Sequence, residues 1–378
     1  MVVDLIESRE KIDKIDKEIE RLFEERMDIA NDVAAYKRST GKKVYDPERE
    51  NEKIKTLVAN ASSEFNKTAV EDLFRQIMSI SRKYQYQKLG SAVVDIPFKM
   101  VDSLDYDRDT KVVFFGDRGA YSEQAMLEFF NEGVDSYNRT TFAEVIDDVI
   151  NYRAKYGVVP IENTSTGGIT DIYDLLVNTD VNIVAEHVVK VEHALLALPG
   201  TKKENIKKVY SHPQAISQCK DYLSENTNME PEKYLSTAGA AKKVKDDGDL
   251  TQAAIGSERA AEVYGLEVLE RKINTQSTNS TRFIIISNQK VFLKDANKIS
   301  LSFEIKHEAG SLYNILANFY YNNLNMTKIE SRPIEGKNWE YRFIVDVEGN
   351  LNDAGVSNAI ESLKESSEMK ILGNIITK

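Results

Sequence analysis

The first 40 residues carry one apolar stripe at helical spacing. Neither glycine nor proline interrupts residues 4–38, and the stripe consists of Leu5, Ile12, Ile15, Ile19, Leu22, Ile29 and Val33. The spacing predicts a single helix roughly 50 Å long at ~1.5 Å per residue. Because a helix of that length cannot bury its stripe against itself, we expect it to pack against a second copy of the chain.

Two more helices are predicted after it. Gly41 ends the first helix, and Asp46 with Pro47 resembles the N-cap and first residue of a second helix that runs to about Val58. Helical spacing returns over residues 68–86. Residues 1–90 are therefore predicted to form an all-α domain of three helices.

The pattern changes after these helices. No regular spacing holds between residues 89 and 110, which predicts a linker or an edge segment, bounded here as 91–109. Short β-rich runs then alternate with helical ones, and the runs are KVVFF, YGVVPIE, VNIVAEHVV, KKVYS, AAIGS and RFIIIS. We expect an α/β domain over residues 110–290.

The last part of the chain, residues 297–378, follows a β-α-β-β-α-β order. The predicted elements are 298–306, 311–322, 325–332, 340–347, 356–366 and 369–376. That order is typical of a ferredoxin-like α+β fold.

Composition excludes several classes of protein. The chain has 50 Lys and Arg against 61 Asp and Glu, and this net charge of -11 argues against a general nucleic-acid binder. No run approaches the roughly 18 apolar residues of a membrane-spanning helix, and the charged N-terminus does not resemble a secretory signal, so we expect a cytoplasmic protein with no membrane partner. The single cysteine, Cys219, excludes an internal disulfide and a cysteine-rich metal site. No cluster of His, Cys and carboxylates indicates a metal, and His187 and His193 are predicted to be structural.

Cations lie in the seam of the first helix. A heptad with Leu5 at position a also places Arg26 at a, and Arg9 and Lys37 at e. A buried guanidinium needs an anionic partner, from the protein or from a ligand. The alternative is common, since Lys and Arg at e positions often reach solvent and form surface ion pairs.

The wider set of polar residues resembles the active site of the all-helical chorismate mutases over residues 1–88. That set is Arg9, Arg26, Lys37, Asp46, Arg49, Glu50, Ser81 and Gln85. The resemblance implies a dimer that isomerises chorismate to prephenate without a cofactor. It also implies that Arg26 and Arg9 of a second protomer clamp the carboxylates, that Lys37 and Gln85 donate to the ether oxygen, that Glu50 and Asp46 hold the ring hydroxyl, and that Arg49 and Ser81 support the pocket. Since Gln85 does not titrate, we expect mutase activity to persist above neutral pH.

Polar loops follow several predicted strands of the middle region. GDRGAYS at 116–122 opens a helix and is either an anion site or a simple connection. PIENTSTGGIT at 160–170 lies where ligands of open α/β sheets bind, and SHPQ, STAGAA and NSTRF repeat its small polar residues. Each loop alone is more common as a cap or turn, but together they predict a pocket of neutral hydrogen-bond donors. A Ser/His/Asp hydrolase is set aside because the nucleophile motif GxSxG is missing.

These motifs, in this order over residues 110–290, resemble prephenate dehydratase. The resemblance implies a two-lobed α/β domain that converts prephenate to phenylpyruvate, with catalysis by Thr281. Candidates for the substrate pocket are Ser122, Glu162, Asn163, Ser211, Gln218, Thr237 and Arg282. We expect Thr281 to donate a hydrogen bond to the leaving hydroxyl. Arg282 is the candidate for a substrate carboxylate, although alternation along the strand can turn it away from Thr281.

The segments EAGSLYNIL and ESRP resemble an ACT domain of the dehydratase type. The resemblance implies feedback inhibition by L-phenylalanine, bound by Gly310, Ser311, Leu312, Glu330, Ser331, Arg332 and Pro333. Relatives often have Ala-Leu after the glycine, whereas this chain has Ser311 and Leu312. The alternative is a ferredoxin-like domain without a ligand.

The predicted function is therefore the two-step conversion of chorismate to phenylpyruvate by a homodimer or higher oligomer. Two other interpretations stay open from sequence. One is an enzyme of the same architecture that acts on arogenate, and the other is a sensor in which the dehydratase fold only binds a small molecule.

Overall fold

The computed structural model of the chain describes residues 4–89, 96–131, 133–305, 307–334, 336–337 and 339–377. Its contacts divide into two compact units. The first unit combines Met1–Ile96 with Phe303–Met369, and the second combines Pro97–Ser302 with Lys370–Lys378.

The elements, in chain order, fall into three stretches. The N-terminal stretch has α1 (Leu5–Thr40), α2 (Pro47–Ala59) and α3 (Glu64–Leu89). The middle stretch has β1 (Lys99–Val101), β2 (Lys111–Phe115), α4 (Tyr121–Phe130), β3 (Asp135–Arg139), α5 (Phe142–Ile150), β4 (Tyr156–Asn163), β5 (Gly167–Gly168), α6 (Thr170–Asn178), β6 (Asn182–Lys190), β7 (Ala194–Ala197), β8 (Lys208–Ser211), α7 (Pro213–Gln218), α8 (Lys220–Glu225), β9 (Glu230–Lys233), α9 (Thr237–Asp247), β10 (Gln252–Gly256), α10 (Glu258–Tyr264), β11 (Glu267–Glu270), β12 (Ser280–Ser287) and β13 (Val291–Leu293). The C-terminal stretch has β14 (Lys298–Ile305), α11 (Ser311–Tyr321), β15 (Met326–Pro333), β16 (Tyr341–Glu348), α12 (Ala354–Ser366) and β17 (Met369–Ile375).

The three N-terminal helices match their predicted positions. Asp4 caps α1 by accepting from two backbone N–H groups, and Gly41 ends it in the left-handed conformation with φ 68°. Asp46 caps α2, as expected. α3 begins earlier than the predicted residue 68, because the Ser63 hydroxyl accepts from the Asn66 N–H at 3.2 Å and starts the helix there.

The apolar stripe of α1 stays exposed within one chain. Only Ala30 and Ala34 of this helix are buried. The exposed fraction is 50% or more for the stripe members Leu5, Ile12, Ile15, Ile19, Leu22 and Ile29. An apolar surface of this length is typical of an interface.

The C-terminal stretch contains the predicted six elements in the predicted order, with the strands arranged β15-β16-β14-β17. β15 is the edge strand and pairs antiparallel with β16. The first strand was expected to include Lys306, which lies outside the described residues.

Two lobes make up most of the second unit. One lobe is a sheet in the order β17-β6-β12-β4-β2-β3, in which β12 runs antiparallel to both β6 and β4. The other lobe is a sheet in the order β11-β7-β10-β8-β9. Its strand β7 alternates strictly: Leu195 packs into the core on one face, and Leu196 into the core on the other.

The chain passes between the lobes twice, at residues 191–193 and 271–279. Every strand predicted in the middle region is present. Six others within residues 110–293 were missed because they are short or polar, namely β3, β5, β7, β9, β11 and β13. Residues 90–95 of the predicted linker region lie outside the described residues, and Lys99–Val101 pairs in parallel with β13 as an edge segment.

No helix in the described part of the chain is both long and apolar enough to cross a membrane. Within the same residues there is no group of three or more His, Cys, Asp and Glu side chains that could hold a metal ion.

Candidate active sites

The three helices α1, α2 and α3 surround a cavity of about 720 Å³, named here the helical cavity. Its lining includes seven of the eight residues predicted for this region: Arg26, Lys37, Asp46, Arg49, Glu50, Ser81 and Gln85. The wall carries seven Lys or Arg side chains against three carboxylates, although the net charge of the chain is -11. The cations that an anionic ligand needs are concentrated here.

Arg26 projects from α1 into this wall and is half-buried. Among the described residues its Nη1 atom is buried without a hydrogen-bond partner. Burial lowers the pKa of Arg26, and the Glu50 carboxylate partly offsets that effect. A buried guanidinium nitrogen with an unused donor is suited to bind a ligand carboxylate.

Gln85 and Ser81 lie one turn apart on α3, and both are buried. The Gln85 Nε2 atom is 3.4 Å from the Ser81 hydroxyl, and the Gln85 Oε1 atom is buried with no partner in the described part of the chain. Rotating the amide by half a turn lets Ser81 donate to Oε1 and frees Nε2 as a donor. In that orientation Gln85 offers the cavity a neutral N–H group.

The loop between α1 and α2 holds two more of the predicted residues. The Lys37 ammonium donates to the Val44 carbonyl at 2.5 Å. Asp46 accepts from the Arg49 N–H at 3.1 Å and thereby caps α2. Asp46 therefore serves the helix as well as lining the cavity.

Arg82 was missed by the sequence analysis. Its guanidinium forms an ion pair with the Glu50 carboxylate and lies 4.8 Å from the centre of the Tyr45 ring. Ser81, Arg82 and Gln85 all line the cavity from α3 at helical spacing. That spacing, extended from the two predicted residues, was the signal that could have found Arg82.

Arg9 is the predicted residue that does not line the helical cavity. It is exposed near the start of α1. At ~1.5 Å per residue it lies roughly 25 Å from Arg26 along the same helix. Arg9 therefore does not reach the cavity of its own chain.

In the second unit, Thr281 on β12 and Asn163 on β4 are register partners in the antiparallel pair. Both side chains are buried, and the Asn163 Nδ2 atom donates to the Thr281 hydroxyl oxygen at 2.8 Å. Because the oxygen accepts from Asn163, the Thr281 proton remains available to donate elsewhere.

The Asn163 side chain is anchored on its other end by Ser165. The Ser165 N–H donates to Asn163 Oδ1 at 2.9 Å, and the Ser165 hydroxyl contacts the same oxygen at 2.5 Å. A backbone N–H is always a donor, so Oδ1 must face Ser165 and Nδ2 must face Thr281. The geometry thus fixes the orientation of the amide.

The hydrogen bonds continue from Ser165 into the second lobe. Gln218 Nε2 lies 2.8 Å from the Ser165 hydroxyl, and Gln218 Oε1 lies 2.9 Å from His193 Nε2. The His193 Nδ1 atom is 3.1 Å from the Tyr121 hydroxyl. Burial lowers the pKa of His193 and raises the pKa of Tyr121 well above its usual value, so both side chains are neutral near pH 7. We call the series Tyr121, His193, Gln218, Ser165, Asn163 and Thr281 the hydrogen-bond chain.

A cavity of about 360 Å³ adjoins this series, lined from one lobe by Ser165 and Thr166 and from the other by Gln218. Lys220 supplies a cation to its wall. Asn279, two positions before Thr281, lines it as well and accepts from Asn163 at 2.9 Å. The cavity is thus in contact with the hydrogen-bond chain and has one positive charge for an anionic ligand.

The structure places Glu162 and Arg282 away from Thr281. They are register partners one position along the same strand pair, so their side chains point to the opposite face. The Arg282 guanidinium is 2.6 Å from Glu162 and 3.3 Å from Glu186, and Lys298 is 2.6 Å from Glu186. The expectation that Glu162 and Arg282 share a pocket with Thr281 is therefore corrected. The sequence analysis foresaw this alternation along the strand for Arg282 and not for Glu162.

The loop at 116–122 packs the two lobes together as a connection between elements, and its interpretation as an anion site stays a prediction. The Gly119 N–H donates to the buried Glu123 carboxylate at 2.6 Å, and Ser257 donates to the Gly119 carbonyl at 2.7 Å. A Cβ on Gly119 would lie 2.7 Å from the Cα of Ala260. The glycine permits close contact between the lobes.

Three other predicted residues take no part in the hydrogen-bond chain as the described residues form it. The Ser211 hydroxyl is fully buried and donates to the Ile255 carbonyl at 2.7 Å. Ser122 is buried in α4, and Thr237 is the first residue of α9, whose cap is Ser236.

A third cavity, of about 330 Å³, lies beside the start of α11 in the first unit. Gly310, Ser311 and Leu312 line it together with the aromatic residues Tyr313, Trp339, Tyr341 and Phe343. Among the described residues no side chain caps α11, whose N-cap is Gly310 at φ 81°. The other predicted effector residues, Glu330, Ser331, Arg332 and Pro333, lie on the edge strand β15 and do not line this cavity.

Comparison with known proteins identifies the family of two regions of the chain. A family model described as prephenate dehydratase matches residues 112–291, and one described as chorismate mutase type II matches residues 8–86. These matches cover the hydrogen-bond chain and the helical cavity, respectively.

Whole-chain similarity leads to the same family. A protein of Aquifex aeolicus, described as bifunctional chorismate mutase/prephenate dehydratase, is 34% identical over 98% of this chain and 97% of its own length. Two solved structures each cover 71% of this chain with a TM-score of 0.66. One is a prephenate dehydratase from Arthrobacter aurescens in complex with L-Phe, 27% identical over 90% of that chain. The other is GqqA, described as a quorum quenching acylase, 32% identical over 98% of that chain. The chain belongs to the family of bifunctional chorismate mutase/prephenate dehydratases of phenylalanine biosynthesis, and it carries a domain of each type.

Proposed function

We propose that the helical cavity performs the Claisen rearrangement of chorismate and that the hydrogen-bond chain ends at the catalytic donor of the dehydratase. The observation that carries the first part is the buried Arg26 nitrogen without a partner among the described residues, in a wall with a surplus of cations.

The chemistry of the rearrangement matches this wall. Chorismate is a dicarboxylate whose ether C–O bond breaks early, so negative charge gathers on the ether oxygen. No acid, base or nucleophile is required. Arg26 binds a carboxylate, Lys37 and Gln85 donate to the ether oxygen, and Glu50 and Asp46 hold the ring hydroxyl.

A second copy of the chain completes the site. Arg9 lies too far along α1 to reach its own cavity, and the exposed stripe of that helix is suited to pair with another α1. Two α1 helices that pair in opposite directions bring Arg9 of one copy towards the cavity of the other. We therefore propose a homodimer as the smallest active assembly.

For the dehydratase, the free proton of Thr281 supports its role. As prephenate becomes aromatic, the bond to its ring carboxylate breaks and its electron pair enters the ring, while the ring C–O bond breaks and the oxygen leaves. The departing oxygen ends as water, with one proton taken up from solution overall. Thr281 donates a hydrogen bond to that oxygen, and Asn163 reinforces the donor by bonding to its oxygen.

We also propose that residues 297–378 form an ACT domain with a ferredoxin-like fold that binds L-phenylalanine, after a mutase domain at 1–90, a linker at 91–109 and a dehydratase domain at 110–290. The aromatic wall of the third cavity suits a phenyl ring, and the uncapped N–H groups of α11 suit a carboxylate. The Arthrobacter structure, described as a complex with L-Phe, supports this ligand. Inhibition requires that phenylalanine bind a less active state more tightly.

The proposal is tested by incubating the full chain with chorismate while following prephenate and phenylpyruvate. The wild-type protein should release phenylpyruvate, and Thr281→Ala should accumulate prephenate at an unchanged mutase rate. Full dehydratase turnover by Thr281→Ala would refute its role. Prephenate and arogenate supplied side by side identify the preferred substrate.

Feedback inhibition has its own test. Millimolar L-phenylalanine should lower dehydratase turnover, and Trp339→Ala, which removes part of the aromatic wall, should weaken that inhibition. Millimolar L-alanine is the matched control, because it has the same backbone groups and no ring. Equal activity with and without phenylalanine would remove the proposal.

A further inference from the structure

The hydrogen-bond chain has one direction, which follows from a single backbone donor. The Ser165 N–H fixes Asn163 Oδ1, and the Ser165 hydroxyl donates to the same oxygen at 2.5 Å. The hydroxyl has one proton, so its oxygen must accept from Gln218 Nε2 at 2.8 Å. Gln218 is then oriented with Oε1 away from Ser165.

That orientation determines the tautomer of His193. Gln218 Oε1 accepts, so the His193 nitrogen at 2.9 Å, Nε2, must carry a proton. The ring is neutral because burial lowers its pKa, and Nδ1 is therefore the acceptor. The Tyr121 hydroxyl lies 3.1 Å from Nδ1 and 2.9 Å from the Glu192 carbonyl, and because both of these atoms are acceptors, its one proton is shared between them.

We propose that His193 and Tyr121 are positioning residues of the dehydratase, which hold every donor of the hydrogen-bond chain pointing towards Thr281 and so leave the Thr281 proton for the substrate. Neither residue touches the substrate in this assignment. The inference rests on the proposed role of Thr281 as the donor to the leaving hydroxyl.

The opposite tautomer indicates what these residues prevent. With the proton on Nδ1, His193 Nε2 would accept, and Gln218 would turn its amide nitrogen towards it. Gln218 Oε1 would then draw the Ser165 proton away from Asn163. Hydrogen bonds that donate in one direction polarise one another, so a reversal in the middle weakens the donor at the end.

The tautomer is measured directly by nitrogen NMR. The chain has four histidines, so protein labelled with ¹⁵N-histidine gives few resonances, and the loss of one set in His193→Gln assigns His193. We expect His193 to be neutral with the proton on Nε2 in the wild-type protein. A proton on Nδ1, or a charged ring at pH 7, would overturn the inference whatever the kinetics.

The kinetic test uses two tyrosines that each donate to a backbone carbonyl. Tyr121→Phe should lower the dehydratase kcat by about tenfold and leave KM nearly unchanged, because orientation is lost and binding is not. Tyr156→Phe is the matched control, since the Tyr156 hydroxyl donates to the Asp105 carbonyl at 3.0 Å outside the hydrogen-bond chain. It should keep its kcat, and the mutase activity of both variants should not change.

Substitutions of His193 complete the design. His193→Leu should lower the dehydratase kcat about as much as Tyr121→Phe does. His193→Gln keeps an N–H donor for Gln218, so its dehydratase kcat should lie between those of His193→Leu and the wild-type protein. Equal kcat in wild type and Tyr121→Phe, or equal losses in His193→Leu and His193→Gln, would contradict a positioning role. If Thr281→Ala itself keeps full turnover, the role of Thr281 fails, and the NMR result still decides the tautomer.

Discussion

The helical cavity and the hydrogen-bond chain, which we propose as the sites of the two reactions, offer different electrostatics to similar small dicarboxylates. The product of the first reaction is the substrate of the second. Yet the helical cavity is lined by seven cations, whereas the donors of the hydrogen-bond chain are neutral hydroxyl, amide and imidazole groups.

The difference follows from what each reaction needs. In the rearrangement, charge moves within one bound molecule, so fixed charges around it are sufficient. Loss of a hydroxyl needs a donor that is itself oriented, because a threonine proton has little acidity of its own. An ordered series of neutral groups supplies that orientation.

The two sites also differ in completeness. Arg9 does not line the helical cavity of its own chain, because it lies too far from that cavity along α1. The hydrogen-bond chain closes entirely between the two lobes of one copy. The mutase should therefore depend on the assembly, and the dehydratase on the internal alignment of its lobes.

The largest expected effect comes from removing the charge at Arg26. Arg26→Met should reduce mutase kcat/KM by roughly a thousandfold, because a carboxylate loses its charged donor in a partly buried site. Dehydratase turnover of supplied prephenate should not change. Arg21→Met is the control, since Arg21 lies on the same helix and pairs with Glu18 and Glu25 in solvent. A mutase that keeps its rate in Arg26→Met would remove the assignment of the cavity.

Mixing two inactive variants tests dependence on the assembly. Arg9→Ala and Arg26→Ala are each expected to lose mutase activity, and dimers that exchange subunits should regain about a quarter of it, since half the dimers hold one intact site. The dehydratase pair Thr281→Ala and Asn163→Ala should regain nothing, because both residues act in one copy. Recovery of dehydratase activity in the second mixture would contradict the proposal that this site forms within one copy. No recovery of mutase activity in the first mixture, once subunit exchange is demonstrated, would contradict a shared mutase site.

Much of the fold could be predicted because the local signals were strong. Asp4, Gly41 and Asp46 bound the first two helices by capping chemistry that acts over a few residues. Strands with continuous apolar runs were also predicted, because such a run is a signal contained within a few residues. The missed strands β3 and β9 are polar, and they form because neighbouring strands pair with them, which a local pattern does not contain.

The sites were predictable only in part. Helical spacing brought together the residues of the helical cavity, and residues four apart such as Ser81 and Gln85 follow from it directly. His193 joins the hydrogen-bond chain through contacts between segments distant in sequence, so no local pattern pointed to it. The face of the sheet on which Arg282 lies depends on how β12 pairs with β4, and that pairing could not be predicted from the sequence.

A smaller effect should follow from disturbing lobe alignment at Gly119. Its φ of +83° and the 2.7 Å approach to Ala260 mean that Gly119→Ala forces the lobes apart. We expect a stability loss of about 1–3 kcal/mol and a dehydratase kcat lowered several-fold. Gly248→Ala is the control, because its φ is similar at +66° and nothing lies near its Cβ. Equal dehydratase losses in the two variants would assign the effect to backbone strain alone. Mutase activity should survive in both.

The smallest predicted effect concerns Lys83, a buried cation on α3. Residues two apart on a helix point in nearly opposite directions, so Lys83 faces away from Ser81 and Gln85. It lies 4.0 Å from the centre of the Tyr321 ring. Burial, and secondarily Arg82, lowers the pKa of Lys83 to about 8 from 10.5. The folded state therefore disfavours the charged form, which destabilises the fold below pH about 8, and this penalty disappears as pH rises from about 8 to about 10.5.

Lys83→Met should accordingly raise the melting temperature by a few degrees at pH 7, and the gain should shrink across that window, as measured by thermal unfolding at each pH. Lys88→Met, at an exposed position on the same helix, should give no such pH-dependent gain. If Lys83→Met lowers the melting temperature at pH 7, the contact with the Tyr321 ring outweighs burial, and the buried ammonium stabilises α3 where it lies.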